Sequence, residues 1–382
     1  MTMSFSFLTA TEILFGRGQA EAAAARITAM GRQIFLVHGR DAARSQWLVQ
    51  ALRDEGCGVQ TYAVTHEPDI DVVQRGTEAA KDAQVIVAIG GGAVVDAAKA
   101  IAALVPATRP MMDHLEVVGR GLPLDHLPLP FVAIPTTSGT GAEVTRNAVI
   151  YVPEHRRKVS LRDTRMLPRL AIIDPALTDS CPRAVTLASG LDAITQVIEP
   201  YICTKANPLS DALCRDAIPR GLAALRVLMQ REDPSARDEM SWVSLCGGLA
   251  LANSGLGAVH GLAGPLGGLT GAAHGAICGT LLPAVLVYNR AKVKDAQLAA
   301  RMDQVGAWIG AAFSVPDASI DEAAGMLAGW SRDCGLAGLS ALGIDREAQL
   351  LAAKAAATSS SMKANPAQLT ETDLMQIMDA SV

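Results

Sequence analysis

The stretch VIVAIGGGAVVDAAKA, residues 85–100, decides the fold. An apolar, mostly β-branched run enters Gly90-Gly91-Gly92, and an alanine-rich helical pattern begins with no spacer. A continuous apolar run bounded by glycine reads as a strand buried on both faces, as parallel sheets require. Glycine lets the backbone approach a ligand, and a helix start offers unsatisfied N–H groups with partial positive charge. The turn therefore reads either as a pyrophosphate seat or as a plain tight strand-to-helix connection. It is not the G-x-G-x-x-G fingerprint, and no G-K-[ST] follows to make it a P-loop. Asp96 is placed to face a ligand cleft, and Lys99 reads as a solvated or structural charge.

The same alternation extends to both sides. Strand-like runs at 33–37, 59–64, 85–89 and 131–134 alternate with helical patterns at 42–55, 69–82 and 93–104. This predicts an α/β, Rossmann-like parallel sheet with helices on both faces. Runs near 147–151 and 158–161 predict a hairpin, LAIIDP at 170–175 one more strand, and AEAAAA at 20–25 a short helix. After Pro182 the texture changes to alanine- and leucine-rich segments at 185–201, 208–229, 236–255, 275–290, 294–312, 318–334 and 346–357. These predict an all-α domain. The expected division is 1–180 for the α/β dinucleotide-binding domain and 181–382 for the helical metal and substrate domain, with a ligand in the cleft between them.

At 382 residues, two domains are the default. Half the residues are hydrophobic and 19% are charged, which suits a packed globular enzyme and argues against disorder. A net charge of −5 gives no electrostatic reason to expect nucleic acid or an anionic membrane. The seven cysteines are scattered, with no C-x-x-C pair, and read as reduced thiols of a cytoplasmic protein. The N-terminal MTMSFSFLTATEILFGRG lacks the pattern of a signal peptide, and no long uninterrupted apolar stretch predicts a membrane span.

Three further segments carry chemistry. IPTTSGTGAEVT, 134–145, sets Thr136, Thr137 and Ser138 at a strand end, as donors for a phosphate, ribose or amide or as an ordinary capped loop. SGLDAITQVIEPY, 189–201, puts Asp192 and Gln196 on one helix face at i, i+4. Asp192 alone reads equally as a helix cap. VHGLAGPLGGLTGAAHG, 259–275, carries His260 and His274 on either side of one bend. Each histidine alone reads as a core residue. Asp192, His260 and His274 together make one carboxylate and two imidazoles, a common set for Zn²⁺ or Fe²⁺. His38, His66, His114, His126 and His155 lie in loops or beside charges and are expected at the surface.

Taken together, the chain resembles the iron-containing, or group III, alcohol dehydrogenase family, related in fold to glycerol dehydrogenases and dehydroquinate synthases. GGGAVVDAAK, IPTTSGTGAEVT, IIDP, DAITQVIEPY, the H-x13-H pair and the closing ANPAQLTETDL occur in the family's order over nearly the whole chain. The resemblance implies a dehydroquinate synthase-like fold and a homodimer. It implies NAD or NADP in the N-terminal domain, a divalent metal in the helical one, and a small alcohol or aldehyde substrate. By position, Asp192, His260 and His274 match family metal ligands and would serve catalysis. Gly91, Gly92, Thr136, Thr137, Asn147 and Lys158 match cofactor contacts.

Four positions depart from the pattern. The usual fourth ligand is Gln196, which implies weaker metal binding, and a further family histidine is Gly264. The serine after the glycines is Ala93, and the acidic residue that grips the ribose is replaced around His38-Gly39-Arg40. Gly39 and Arg40 leave room and charge for a 2′-phosphate, unless Arg40 faces solvent. The alternatives are a metal-independent maleylacetate-type reductase, a dehydroquinate synthase-like lyase, and a non-enzymatic descendant. Because maleylacetate reductases lack the aspartate, Asp192 argues for a metal enzyme.

Overall fold

The computed structural model describes residues 4–381. Its first unit comprises Leu8–Thr137 and Gly141–Ser180, and its second comprises Cys181 onward with Ser138–Thr140 and a short N-terminal stretch ending at Phe7.

The first unit is built from β1 (Ile13–Phe15), α1 (Ala23–Thr28), β2 (Gln33–His38), α2 (Gln46–Asp54), β3 (Gly58–Ala63), α3 (Ile70–Ala79), β4 (Val85–Gly90), α4 (Gly92–Leu104), α5 (Met111–His114), β5 (Phe131–Pro135), β6 (Asn147–Val152), β7 (Arg157–Arg162) and β8 (Leu170–Ile173). Six strands form one parallel sheet in the order β1-β8-β5-β4-β2-β3. Strand β4 lies in its middle because both faces are apolar. Val85, Val87 and Ile89 pack on one side with Ile27, Leu48 and Leu52, while Ile86 and Ala88 pack on the other with Val72, Val94 and Ile101. Each such large side chain contributes about 1.5–3 kcal/mol by leaving water. The chain runs from β2 outward to β3 and then returns to β4 on the other side of β2. That reversal opens a crevice at the carboxyl ends of β2 and β4, where open α/β sheets bind ligands. The predicted hairpin is present as β6–β7, pairing Asn147 with Arg162 through Val152 with Arg157.

The second unit is all helical, with α6 (Arg183–Ile202), α7 (Pro208–Leu228), α8 (Pro234–Asn253), α9 (Ala258–Thr270), α10 (His274–Lys292), α11 (Ala296–Ala312), α12 (Ile320–Asp333), α13 (Arg346–Ala357) and α14 (Glu371–Asp379). Helix starts follow side-chain caps. Asn207, Ser319 and Thr370 each form a reciprocal capping box, and Asp233, Asp295 and Asp345 accept from first-turn amides. Helix α6 is buried on every side from Gly190 to Ile202, so its polar residues there lie in the interior. The segment expected as a bend is mostly the helix α9, with the turn confined to Gly271–Ala273. Val259, Leu262, Ala263 and Leu266 bury one face of α9 in the main core at helical spacing, and that burial outweighs the glycine content.

Among the described residues no single helix is long and apolar enough to cross a membrane, and no disulfide joins the cysteines.

Candidate functional site

Helix α6 sets Asp192, Gln196 and Glu199 on one face at i, i+4 and i+7, each 2% exposed. A buried carboxylate must be compensated, and two on one face concentrate that demand. The compensation comes from α9 and α10. Glu199 accepts the N–H of Val259 at 2.8 Å, so its charge caps the start of α9. Its other oxygen meets His260 Nδ1 at 2.6 Å. With Nδ1–H directed at the carboxylate, Nε2 of the neutral ring carries the lone pair. Gly257 makes this approach possible, since a Cβ there would lie 2.8 Å from Glu199 Oε1. Gly275 does the same for α10: a Cβ would sit 2.5 Å from the carbonyl of Ala188, and the close contact brings His274 against α6.

Asp192 Oδ1 lies 3.5 Å from His260 Nε2 and 3.8 Å from His274 Nε2. Both separations exceed a good hydrogen bond. Asp192 Oδ1, His260 Nε2 and Gln196 Oε1 are buried without a hydrogen-bond partner. Oxygen and nitrogen donors at ordinary metal–ligand distances of about 2.0–2.2 Å define a tetrahedron with edges of about 3.3–3.6 Å, which 3.5 Å meets and 3.8 Å slightly exceeds. The spacing of the three groups thus fits a small divalent cation better than mutual hydrogen bonding. Burial pushes the Asp192 carboxyl up, but His260, His274 and Gln196 together outweigh it and hold it below the usual carboxylate range. Burial disfavours the imidazolium of His260, yet Asp192 and Glu199 overcome this and push its pKa up to about 10. An entering cation must therefore displace that proton.

Two members of this cluster went unassigned in the sequence. Glu199 follows Asp192 by seven residues, a spacing that already placed it on the same face. The donor atom of Cys278 joins those of Asp192, His260 and His274, all within 4.8 Å of one another. It follows His274 by four residues on α10, which was also legible as a shared face. Gly264 lies one turn beyond His260, and a Cβ there would meet no atom within 4 Å.

The first unit gathers most of the expected dinucleotide residues at its strand ends. Gly91 precedes α4 with no side chain capping that helix, so its first amides remain available to an anion. Thr136 N donates to the Gly90 carbonyl at 3.0 Å, and a Cβ on Gly91 would lie 3.2 Å from Thr137 Oγ1, so the two loops adjoin. A Cβ on Gly39 would lie 3.9 Å from Val94 on α4. Arg40 donates to the Thr65 carbonyl at 3.3 Å. Ser138 belongs to the second unit, where its hydroxyl meets that of Ser241 at 3.0 Å. Lys158, at β7, forms an ion pair with Glu67.

Asp96 turns to the hairpin and accepts from Val149 N at 3.1 Å; burial outweighs Lys99 and that amide and pushes its pKa up to about 6. Lys99 is a structural charge and not a solvated one, at 1% exposure. It donates to the carbonyls of Ala142, Thr145 and Asn147 at 2.6, 2.8 and 2.9 Å. It thereby fastens Asn147, and with it the hairpin, to α4.

Two of the five histidines expected at the surface are buried. His38 ends β2 between β3 and β4, and its Nδ1 lies 2.7 Å from the Gly39 carbonyl. His114 ends α5 over the hairpin core and pairs through Nδ1 with the Leu122 carbonyl at 3.1 Å. Their chain neighbours are polar, but strand and helix direction turns the rings inward. His66, His126 and His155 are exposed.

Residues 10–175 match the iron-containing alcohol dehydrogenase model, and residues 186–382 match the C-terminal model of the same family. Long-chain-alcohol dehydrogenase 1 of Geobacillus thermodenitrificans is 39% identical over 63% of this chain and 61% of its own. Lactaldehyde reductase of Escherichia coli is 39% identical over 59% of each chain. The matched stretch thus spans about three fifths of these relatives' length. Among solved structures, the alcohol dehydrogenase from Oenococcus oeni superposes with a TM-score of 0.85 at 25% identity, covering 99% of this chain and 100% of that one. A 1,3-propanediol oxidoreductase does so with a TM-score of 0.84 at 26% identity, over 99% and 100%. Matches to both family models, across the sheet unit and the helical unit alike, make this chain a member of the iron-containing alcohol dehydrogenase family.

Proposed function

We propose that this protein transfers hydride between a small alcohol or aldehyde and a nicotinamide dinucleotide, assisted by a divalent cation held by Asp192, His260 and His274. The observation that carries this reading is the donor spacing of 3.5 and 3.8 Å around buried, unpartnered atoms. When bound, the cation supplies a Lewis acid that polarises the substrate oxygen, and the nicotinamide supplies the hydride-accepting carbon. The chain's own residues prepare that chemistry. Glu199 fixes the His260 tautomer and orientation, and Asp192 contributes negative charge from a site with little water to screen it. The open space at Gly264 admits a substrate carbon chain beside the donors. The names of the relatives, a long-chain alcohol dehydrogenase and a lactaldehyde reductase, support substrates carrying a CH–OH group.

In the sheet unit, the uncapped start of α4 with Gly90, Gly91 and Gly92 is the pyrophosphate seat, and Thr136, Thr137, Asn147 and Lys158 line the dinucleotide. Arg40 and the small Gly39 favour acceptance of NADPH as well as NADH. Iron and zinc both suit the carboxylate–imidazole set. A homodimer is the family expectation, and the scatter of seven cysteines with no C-x-x-C pair favours a reducing, cytoplasmic setting. The central position of Asp192 between two imidazoles weighs against a metal-independent reductase.

The test is metal analysis of the purified protein with NAD(P)-linked oxidation of an alcohol panel, before and after His274→Ala. Loss of both metal and turnover in the variant is expected. Full metal content with full activity in His274→Ala would overturn the assignment.

A further inference from the structure

We propose that Cys278 is the fourth donor of the metal centre, taking as thiolate the place that Gln196 leaves without an imidazole. The inference rests on the three-donor reading above and adds to it a fourth protein ligand, the substrate oxygen then entering as a fifth. Cys278 Sγ lies 3.6 Å from His274 Nε2, and all four donor atoms fall within 4.8 Å of one another. Of the separations along this cluster, 3.5 Å for oxygen to nitrogen and 3.6 Å for sulfur to nitrogen match the edges of a metal-sized tetrahedron, about 3.3–3.6 Å, and 3.8 Å from Asp192 to His274 is slightly longer. The separations from Asp192 bear on the cation, and the third, also the length of a thiol–imidazole hydrogen bond, sets the sulfur beside His274. The second observation is independent: Asp192 Oδ1 and His260 Nε2 are buried in this same cluster with no hydrogen bond.

The helix geometry makes the pairing rigid. His274 and Cys278 stand one turn apart on α10, so a shift that moves one donor moves the other. Gly279, next in the chain, lets this turn of α10 press onto α6, where a Cβ would lie 2.7 Å from the Leu191 side chain. Gln196 also adjoins Asp192, but a neutral amide oxygen is a weaker donor than a thiolate for zinc.

On binding, the Cys278 S–H bond ionises, the proton leaves to solvent, and the sulfur lone pair forms the bond to the cation. Nothing is oxidised or reduced. The donor set becomes one carboxylate, two imidazoles and one thiolate. Thiolate selects borderline-soft ions, so the site should favour Zn²⁺ over Fe²⁺ among ions of similar size.

The experiment uses the full chain stripped of metal and titrated with Co²⁺, a spectroscopic stand-in for zinc. Wild type should bind one equivalent and develop the near-ultraviolet absorption of thiolate-to-cobalt charge transfer. Cys278→Ser and Cys278→Ala should still bind, about tenfold or more weakly, without that absorption. One bound equivalent in wild type with no charge-transfer absorption overturns the thiolate and leaves the three-donor site standing. So does an unchanged band in either variant. Absence of any cobalt binding in wild type, with native circular dichroism, overturns the three-donor site and this proposal together. Where one variant fails to fold, the other carries the comparison, and a wild-type spectrum without the band overturns the thiolate by itself.

Discussion

Replacing Lys99 with methionine removes the amino group whose hydrogen bonds fasten α4 to the segment Ala142–Asn147. The ammonium donates to three carbonyls at 2.6–2.9 Å and to Thr145 Oγ1 at 3.0 Å. Hydrogen bonds with a charged partner contribute about 1.5–3 kcal/mol each, so three protons suggest roughly 5–9 kcal/mol before costs. Against this stands desolvation, which pushes the Lys99 pKa down to about 8 even with Asp96 and Glu143 opposing it. Methionine fills nearly the same volume, so no large cavity term is added. The net loss should be about 3–5 kcal/mol, as for removing one member of a buried charge group. Hydrogen exchange of β4 and β5 amides reads this unit's stability directly.

The pH profile gives the same perturbation a second signature. Burial outweighs Lys99 and pushes Glu143 up to about 7, so its contribution is present at acid pH and is lost as pH rises through 7. Lys99 is depressed, so its contribution is present above the ordinary lysine value of 10.5 and is lost as pH falls through about 8. The wild-type pair therefore stabilises least between about pH 7 and 8 and more on either side. The methionine variant should lose the alkaline rise and keep the acid one. Unchanged exchange rates with an unchanged alkaline limb would refute the fastening role.

Glu199→Gln offers one acceptor oxygen where the N–H of Val259 and Nδ1 of His260 converge, so zinc affinity by chelator competition should fall about 10–100-fold. An unchanged constant in natively folded protein removes the buttress. Gly264→Ala adds a methyl with no atom within 4 Å in a helical position, and should raise stability by about 0.5–1 kcal/mol. A lower urea midpoint would contradict that. Comparing kcat/KM for the two cofactors tests Arg40: NADPH should be used at least comparably, and an NADH preference of about tenfold or more counts against the 2′-phosphate reading.

The buried strands were legible because β2, β4 and β5 are apolar on both faces, a pattern that survives any packing detail. Strand β1 was not, since Ile13–Phe15 is three residues long and too short to show a period. Helix α9 hid behind its glycines, although Val259, Leu262, Ala263 and Leu266 carried the helical spacing. Asp192, His260 and His274, whose donor atoms lie within 4.8 Å of one another, could be singled out because such residue types are rare in apolar segments. Glu199 and Cys278 needed one more step, that of following each donor along its own helix by one or two turns. The buried state of His38, His114 and Lys99 depends on which way an element faces, and local polarity does not encode that.

The carboxylates of α6 are 2% exposed, and while α9 compensates Glu199, Asp192 Oδ1 has no hydrogen bond, which is costly in the interior of the helical unit. On the proposed reading, a cation bound there would act as a folding ligand as well as a reagent. At free metal a hundredfold above its dissociation constant, linkage adds about 2.7 kcal/mol, against total stabilities of about 5–15 kcal/mol. Metal starvation would then reach this protein first as a thermal and proteolytic weakness of its helices, at concentrations where the loss of turnover is still partial.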